Sequence, residues 1–305
     1  MATSATSTTT PSFRKISRTK LGISEPNPRM FGNQANDASN PSWTNPNWLK
    51  SRFHFSFAEY YNPANTNFGV LRVLNDDLVQ PSRGFATHGH ANAEICTYVI
   101  AGSLTHADSM GTSETLSRGA IQFMTAGSGV RHSEANNSPT QPLRFIQMWL
   151  SPRSKGLLPN YGSSQGDQEK RTNQWHHMVS DVDNAQLADG AATTVQINTD
   201  ANMFATELEP SKTLDFYVKE GRQAYVLCVD GETRVLDRKN SAGETGENAD
   251  LAVCLEETAT VLERHDAAEL IGPITITFVT NELTATHLLV VEMKYDARNS
   301  GRGDL

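Results

Sequence analysis

The sequence predicts an all-β protein made of two β-sandwich or jelly-roll domains. Three observations carry this expectation: short runs of β-type residues recur along the chain, turn residues break them at regular intervals, and patterns of helical period are scarce. A first series of runs spans 52–58, 68–73, 94–100, 119–124 and 143–150. It is punctuated by Asn75-Asp76-Asp77, Ala101-Gly102-Ser103, Ser109-Met110-Gly111 and Gly127-Ser128-Gly129. Residues 156–172, rich in Gly, Ser, Asn and Gln, read as a connection. The rhythm then resumes over 193–197, 203–208, 213–218, 224–229, 233–236, 251–255, 258–262, 274–279 and 287–293. The stretch 237–250, charged and glycine-bearing, reads as a surface hairpin tip.

Ahead of the first series, residues 1–11 are mostly Ala, Ser and Thr, and Arg14, Lys15, Arg18 and Lys20 follow before the first acid at Glu25. A first strand is expected over 13–16, then a Pro/Asn-rich arm over 26–47 that cannot continue regular structure. The expected organisation is therefore a leader and arm (1–47), a first domain (48–165), a second domain (166–296) and a polar tail (297–305). A cytoplasmic protein is expected, with a nuclear or organellar address as the alternative because the leader is Ser/Thr-rich and basic.

Composition excludes several classes. With 305 residues the chain can bury a full core without disulfide staples, and its three cysteines, Cys96, Cys228 and Cys254, lie in apolar runs as expected for buried reduced thiols. No apolar run approaches the roughly 18 to 20 residues of a membrane span. Thirty-four acidic residues against 26 basic ones, a net charge of −8, disfavour a phosphate backbone as partner. The sequon at Asn136 is followed by Pro139, and the Arg302-Gly303-Asp304 tripeptide sits in a polar tail; neither is read as functional.

The chemistry concentrates in two spaced pairs, His88-x-His90 and His132-x-Glu134. Residues two apart on a strand share a face, so each pair offers two donors to one point, and a hairpin-like arrangement would bring all four together. Three imidazoles and a carboxylate suit a first-row divalent ion, whether iron, nickel, copper, manganese or zinc, rather than calcium. The glycine-rich approach at Gly127 and Gly129 is expected to let backbone come close to an ion or substrate. His106, just before a turn, is expected to be exposed or to cap that turn.

These residues resemble the pirin-like cupins, and in particular their bacterial-type, quercetinase-like branch. The resemblance runs in order through WLKSRFHFSFA at 48–58, GVLRVLNDD at 69–77, GFATHGH at 84–90, EICTYV at 94–99, HADSMG at 106–111 and MTAGSGVRHSE at 124–134. It implies a bicupin with one metal, iron(II) above the other first-row ions, held in the first domain by His88, His90, His132 and Glu134. The second domain, with only the separated His265 and His287, would be metal-free and structural. The implied activity is a dioxygenase that opens flavonols such as quercetin, its partners being an aromatic substrate and dioxygen. Glu134 would be the base, and Glu94 a second base or a group that orients a histidine or the substrate. The alternative is a non-catalytic, redox-responsive cupin that binds a regulatory protein partner. A monomer without nucleic-acid or membrane binding is expected. Gly89 stands where the family usually has proline, and Ala91-Asn92-Ala93 replaces a bulkier stretch.

Overall fold

The computed structural model describes residues 9–34, 47–184, 193, 195–237 and 259–297. Cys254, the expected strand over 251–255, nearly all of the 237–250 insertion and the Arg302-Gly303-Asp304 tripeptide lie outside them. The architecture is all-β, as expected, and forms two compact units. Among the described residues one comprises 21–34, 47–168, 178–184, 193 and 195–201, the other 9–20, 169–177, 202–237 and 259–297. The units interleave in sequence because strand pairing ignores chain order: Ser12–Ile16 adds to the edge of Ala267–Ile271, with Ser12 opposite Ile271.

In the first unit a seven-stranded sheet has the order Asn160–Ser164, Ile121–Thr125, Glu94–Ala101, Leu143–Leu150, Leu71–Val79, Leu49–Phe53 and Gly22–Ser24. A four-stranded sheet has the order Arg83–His90, Val130–Asn136, Ser103–Asp108 and Ser113–Ser117. Period-two alternation gives each sheet an inner face. Val99, Leu143 and Phe145 from the large sheet meet Phe85, Leu104 and Leu116 from the small one in a single apolar cluster, beneath Trp48. The other side of the large sheet is also covered: Arg144 donates to Asp76 at 2.8 and 2.6 Å there.

The second unit repeats the plan. Strands Ser12–Ile16, Ala267–Ile271, Arg222–Asp230, Thr286–Lys294 and Ala201–Leu208 are neighbours in that order, and a smaller sheet runs Thr213–Val218, Ile274–Val279, Glu232–Asp237 and Thr260–Glu263. Val226, Cys228 and Val290 of the first pack with Phe216, Ile276 and Phe278 of the second. Cys96 and Cys228 are buried and unlinked, and burial, with the Glu94 carboxylate adding to it, pushes the Cys96 thiol well above its usual pKa. Among the described residues no helix is long and apolar enough to cross a membrane.

Phe145 has no exposed surface and joins the two sheets of the first unit. Phe145→Ala is expected to cost that unit about 3 to 5 kcal/mol, read as a lowered urea midpoint by circular dichroism.

Candidate metal centre

The small sheet of the first unit carries the site. His132 lies opposite His88 in the pairing of Val130–Asn136 with Arg83–His90, and Val130 lies opposite His90. Two residues further along, Glu134 faces Phe85, three residues before His88, so the histidine strand carries one extra residue between them. This bulge lets Phe85, His88 and His90 all turn inward, although Phe85 and His88 are an odd number of residues apart. The three imidazoles converge: ring centroids are 4.7 Å apart for His88 and His90, 4.6 Å for His88 and His132, and 5.0 Å for His90 and His132. Each presents a ligand atom within 4.8 Å of the others'.

The local chemistry fits a cation. The Nδ1 of His88 bonds the carbonyl of Ala86 at 2.8 Å, so Nδ1 carries the proton and Nε2 keeps its lone pair. His132 is 2% exposed, yet neither ring nitrogen has a hydrogen-bond partner, an arrangement that leaves either one available as the lone-pair ligand. Burial, and then the neighbouring imidazoles His88 and His106, hold the His132 pKa down to about 3, Asp108 opposing them. Burial, His132 and His88 likewise lower His90 to about 4. Both rings are therefore neutral at physiological pH, the form a metal requires.

Glu134 sits deeper. Its Oε1 accepts from Thr97 Oγ1 at 2.9 Å and Gln122 Nε2 at 2.8 Å, and its Oε2 accepts from Gln147 Nε2 at 2.7 Å. Burial raises its pKa, against the nearby His106 and His88 and the bonds from Thr97 and Gln147. These donors stand on the opposing sheet and draw the carboxylate inward, so Glu134 does not close on the same point as the three histidines. It groups instead with His106 and His132, their ligand atoms again within 4.8 Å of one another.

Two expectations are corrected. His106 is neither exposed nor a turn cap: it is fully buried, stands opposite Glu134 in the strand pairing, and stacks on Tyr161 with centroids 4.6 Å apart. The residue that organises the turn is Asp108, whose Oδ1 accepts from the N–H groups of Met110 and Thr112. Glu94 is not brought to the histidines. It stands three positions before Thr97, an odd step, so the pleat puts it on the other face of the sheet. There its Oε2 accepts from Thr125 Oγ1 at 2.9 Å and from the N–H of Asn198 at 3.1 Å, and burial raises its pKa.

The glycine-rich approach works differently from its expected role. Gly127, at φ +45°, has its backbone against the carbonyl of Leu157, where a Cβ would come within 2.0 Å, so its close approach is to the chain itself. Gly129 instead borders an open groove of about 430 Å³ with Gly89, His90, Ala91, Ser109, Val130 and Arg131. Phe31, which composition alone did not single out, lies with its ring 5.4 Å from the His88 ring. It has a left-handed φ of 57°, and its segment is pinned where Asn33 Nδ2 donates to the Gly84 carbonyl at 2.8 Å and Asn33 Oδ1 accepts from the Gly84 N–H.

Two sandwiches with a histidine trio inside the first define a two-domain cupin, and the chain belongs to the pirin family. The Pirin family model matches residues 36–150 and the quercetinase C-terminal cupin domain model matches residues 188–293. A pirin-like protein of Caulobacter vibrioides is 35% identical over 219 residues, covering 70% of this chain and 91% of that one. The quercetin 2,3-dioxygenase of Escherichia coli is 46% identical over 123 residues, 40% of this chain and 53% of that protein, so the match spans about half of that relative. The crystal structure of YhhW from Escherichia coli superposes with a TM-score of 0.71 at 24% identity, over 93% of this chain and 99% of that one. A second structure of that protein, in complex with nickel(II), gives 0.69 at 22% identity, over 93% of this chain and 100% of that one.

The depressed His132 pKa has a consequence for the metal-free protein. The unfolded chain takes up this proton near pH 6.5, whereas the fold refuses it until about 3, so this residue's contribution to stability is lost as pH falls from 6.5 towards 3. His132→Leu is expected to flatten the fall in urea midpoint over that window relative to wild type.

Proposed function

We propose that this chain is a metal-dependent dioxygenase that opens flavonols such as quercetin. The observation that carries the reading is the trio His88, His90 and His132, whose ligand atoms lie within 4.8 Å of one another on strands covered by the Pirin match. The relative named quercetin 2,3-dioxygenase, 46% identical over 123 residues, supports the substrate class. The ion is assigned to the trio, and Glu134, whose carboxylate groups with His106 and His132 instead of closing on the trio, is assigned the role of base. Iron(II) is the assigned ion, and nickel(II), present in a structure of Escherichia coli YhhW, is its competitor. When bound, such an ion supplies Lewis-acid polarisation of the flavonol's adjacent hydroxyl and carbonyl and the electron chemistry of dioxygen addition.

The chain's own residues do the rest. The groove beside His90, bordered by Gly129 and Arg131, admits a flat aromatic molecule. Glu134 takes the flavonol hydroxyl proton at Oε2, which retains an unshared lone pair beyond its bond from Gln147. Its raised pKa favours this role. Glu94, bonded to Thr125 and Asn198 on the opposite face, takes no part. Phe31 shields the His88 edge from water. A monomer in a reducing cytoplasm is the accompanying reading, supported by the buried thiols of Cys96 and Cys228.

Full-length protein loaded with ferrous iron is expected to consume oxygen when quercetin is added, and His132→Ala to lose that uptake by at least about 100-fold, consistent with loss of a metal-site group. Elemental mass spectrometry of the same sample identifies the ion. Equal uptake by metal-free protein or by the variant overturns the mechanism; a metal-loaded protein that leaves quercetin and oxygen untouched points instead to the regulatory, partner-binding role.

A further inference from the structure

His106 is the buried titratable group that the proposed reaction leaves unused, and its surroundings are those of a ligand. Its Nε2 lies 3.1 Å from Asp108 Oδ2, and neither side chain has any exposed surface. A carboxylate on one ring nitrogen fixes the proton there and leaves the other nitrogen as a lone pair, the support that metal-bound histidines typically have. Here that other nitrogen, Nδ1, is buried without a hydrogen-bond partner. Asp108 is itself fixed, its Oδ1 accepting from the N–H groups of Met110 and Thr112.

The other two donors are equally prepared. Strand register sets Glu134 directly opposite His106 and His132 opposite Asp108. All three ligand-bearing residues, His106, His132 and Glu134, are at most 3% exposed, with ligand atoms within 4.8 Å of one another. Neither His132 nitrogen is bonded within the protein, so no internal bond commits its single lone pair to the outer group or to the inner one. Glu134 has three donors for its four lone-pair sites, which leaves one for an ion.

We infer that His106, His132 and Glu134 form a second, inner position for a divalent first-row cation, an alternative to the outer position at His88, His90 and His132 and reached through their shared His132. The donor set differs usefully from the outer one. Two imidazoles and a carboxylate reduce the ion's charge to about +1 in a buried setting, whereas three neutral imidazoles leave it at +2. The hydrogen-bond donors to Glu134, Thr97, Gln122 and Gln147, are all neutral, so an ion at the inner position supplies the positive charge that they do not. This inference rests on the proposed metal binding but not on flavonol chemistry.

Cobalt(II) is the probe, because its visible ligand-field bands report coordination without turnover. Full-length wild type, His88→Ala/His90→Ala and the same double variant carrying His106→Gln are compared by equilibrium dialysis and absorption, with circular dichroism and thermal melting as the check on folding. The double variant is expected to keep a protein-bound cobalt spectrum, shifted from that of wild type. Adding His106→Gln is expected to weaken binding by about 100-fold or more, and adding Asp108→Ala instead by about 10- to 100-fold. A folded double variant with no bound cobalt, beside a wild type that binds it, overturns the inner position while leaving the outer one standing. Equal binding by the double variant with and without His106→Gln overturns His106 as a ligand. Wild type that binds no cobalt overturns both this position and the metal reading beneath the proposed function.

Discussion

A carboxylate buried between two sheets is the constraint around which the first unit is arranged. Burying Glu134 costs free energy unless its oxygens are met, and on their own strands Thr97, Gln122 and Gln147 meet them. These three come from adjacent strands of the large sheet and form one rung of it, since Gln122 and Gln147 are both register partners of Thr97. Asn75 continues the rung opposite Gln147. A sandwich normally fills this layer with apolar side chains. Here one polar row replaces them and fixes how the small sheet sits over the large one, because a shift of one residue would turn every donor of the row to the other face.

The same layer holds a second acid. Asp77 lies opposite Phe145 and Ser51, accepts from the Ser51 hydroxyl, and is pushed to a pKa of about 7 chiefly by burial, with Asp76 and Glu134 adding to it. Beyond the polar row the packing is ordinary: Val99, Leu104, Leu116, Leu143 and Phe145 fill the end away from the histidines. Chemistry and stability are thus divided along the length of one sandwich.

Much of this was legible in the sequence. Strand runs and turn residues forecast the all-β architecture, and spacing of two put His88 beside His90 and His132 in line with Glu134. Parity was the harder part. The run from Glu94 to Ile100 is buried on both faces, so nothing local says which face carries the site, and Glu94 falls on the wrong one. His106 was misread because the turn after it is visible in the sequence while the strand before it is short; only its pairing with Val130–Asn136 reveals it as an inward residue. The bulge in Arg83–His90 and the pairing of Ser12 with Ile271 depend on partners that are distant along the chain, and local patterns do not encode distant partners.

The histidine trio is flanked unequally. Phe31, fastened through Asn33 to the backbone of Gly84, covers the His88 side, whereas the His90 side opens into the groove. Among the described residues, then, the groove meets the trio at His90, and its lip carries a charge. Of the residues bordering that groove, Arg131 is the one with a guanidinium, and burial with its imidazole neighbours lowers the His90 pKa to about 4. A guanidinium at the lip favours an approaching anion over a bare cation, so in the proposed reaction the phenolate form of a substrate would be drawn to the same opening that slows a free metal ion.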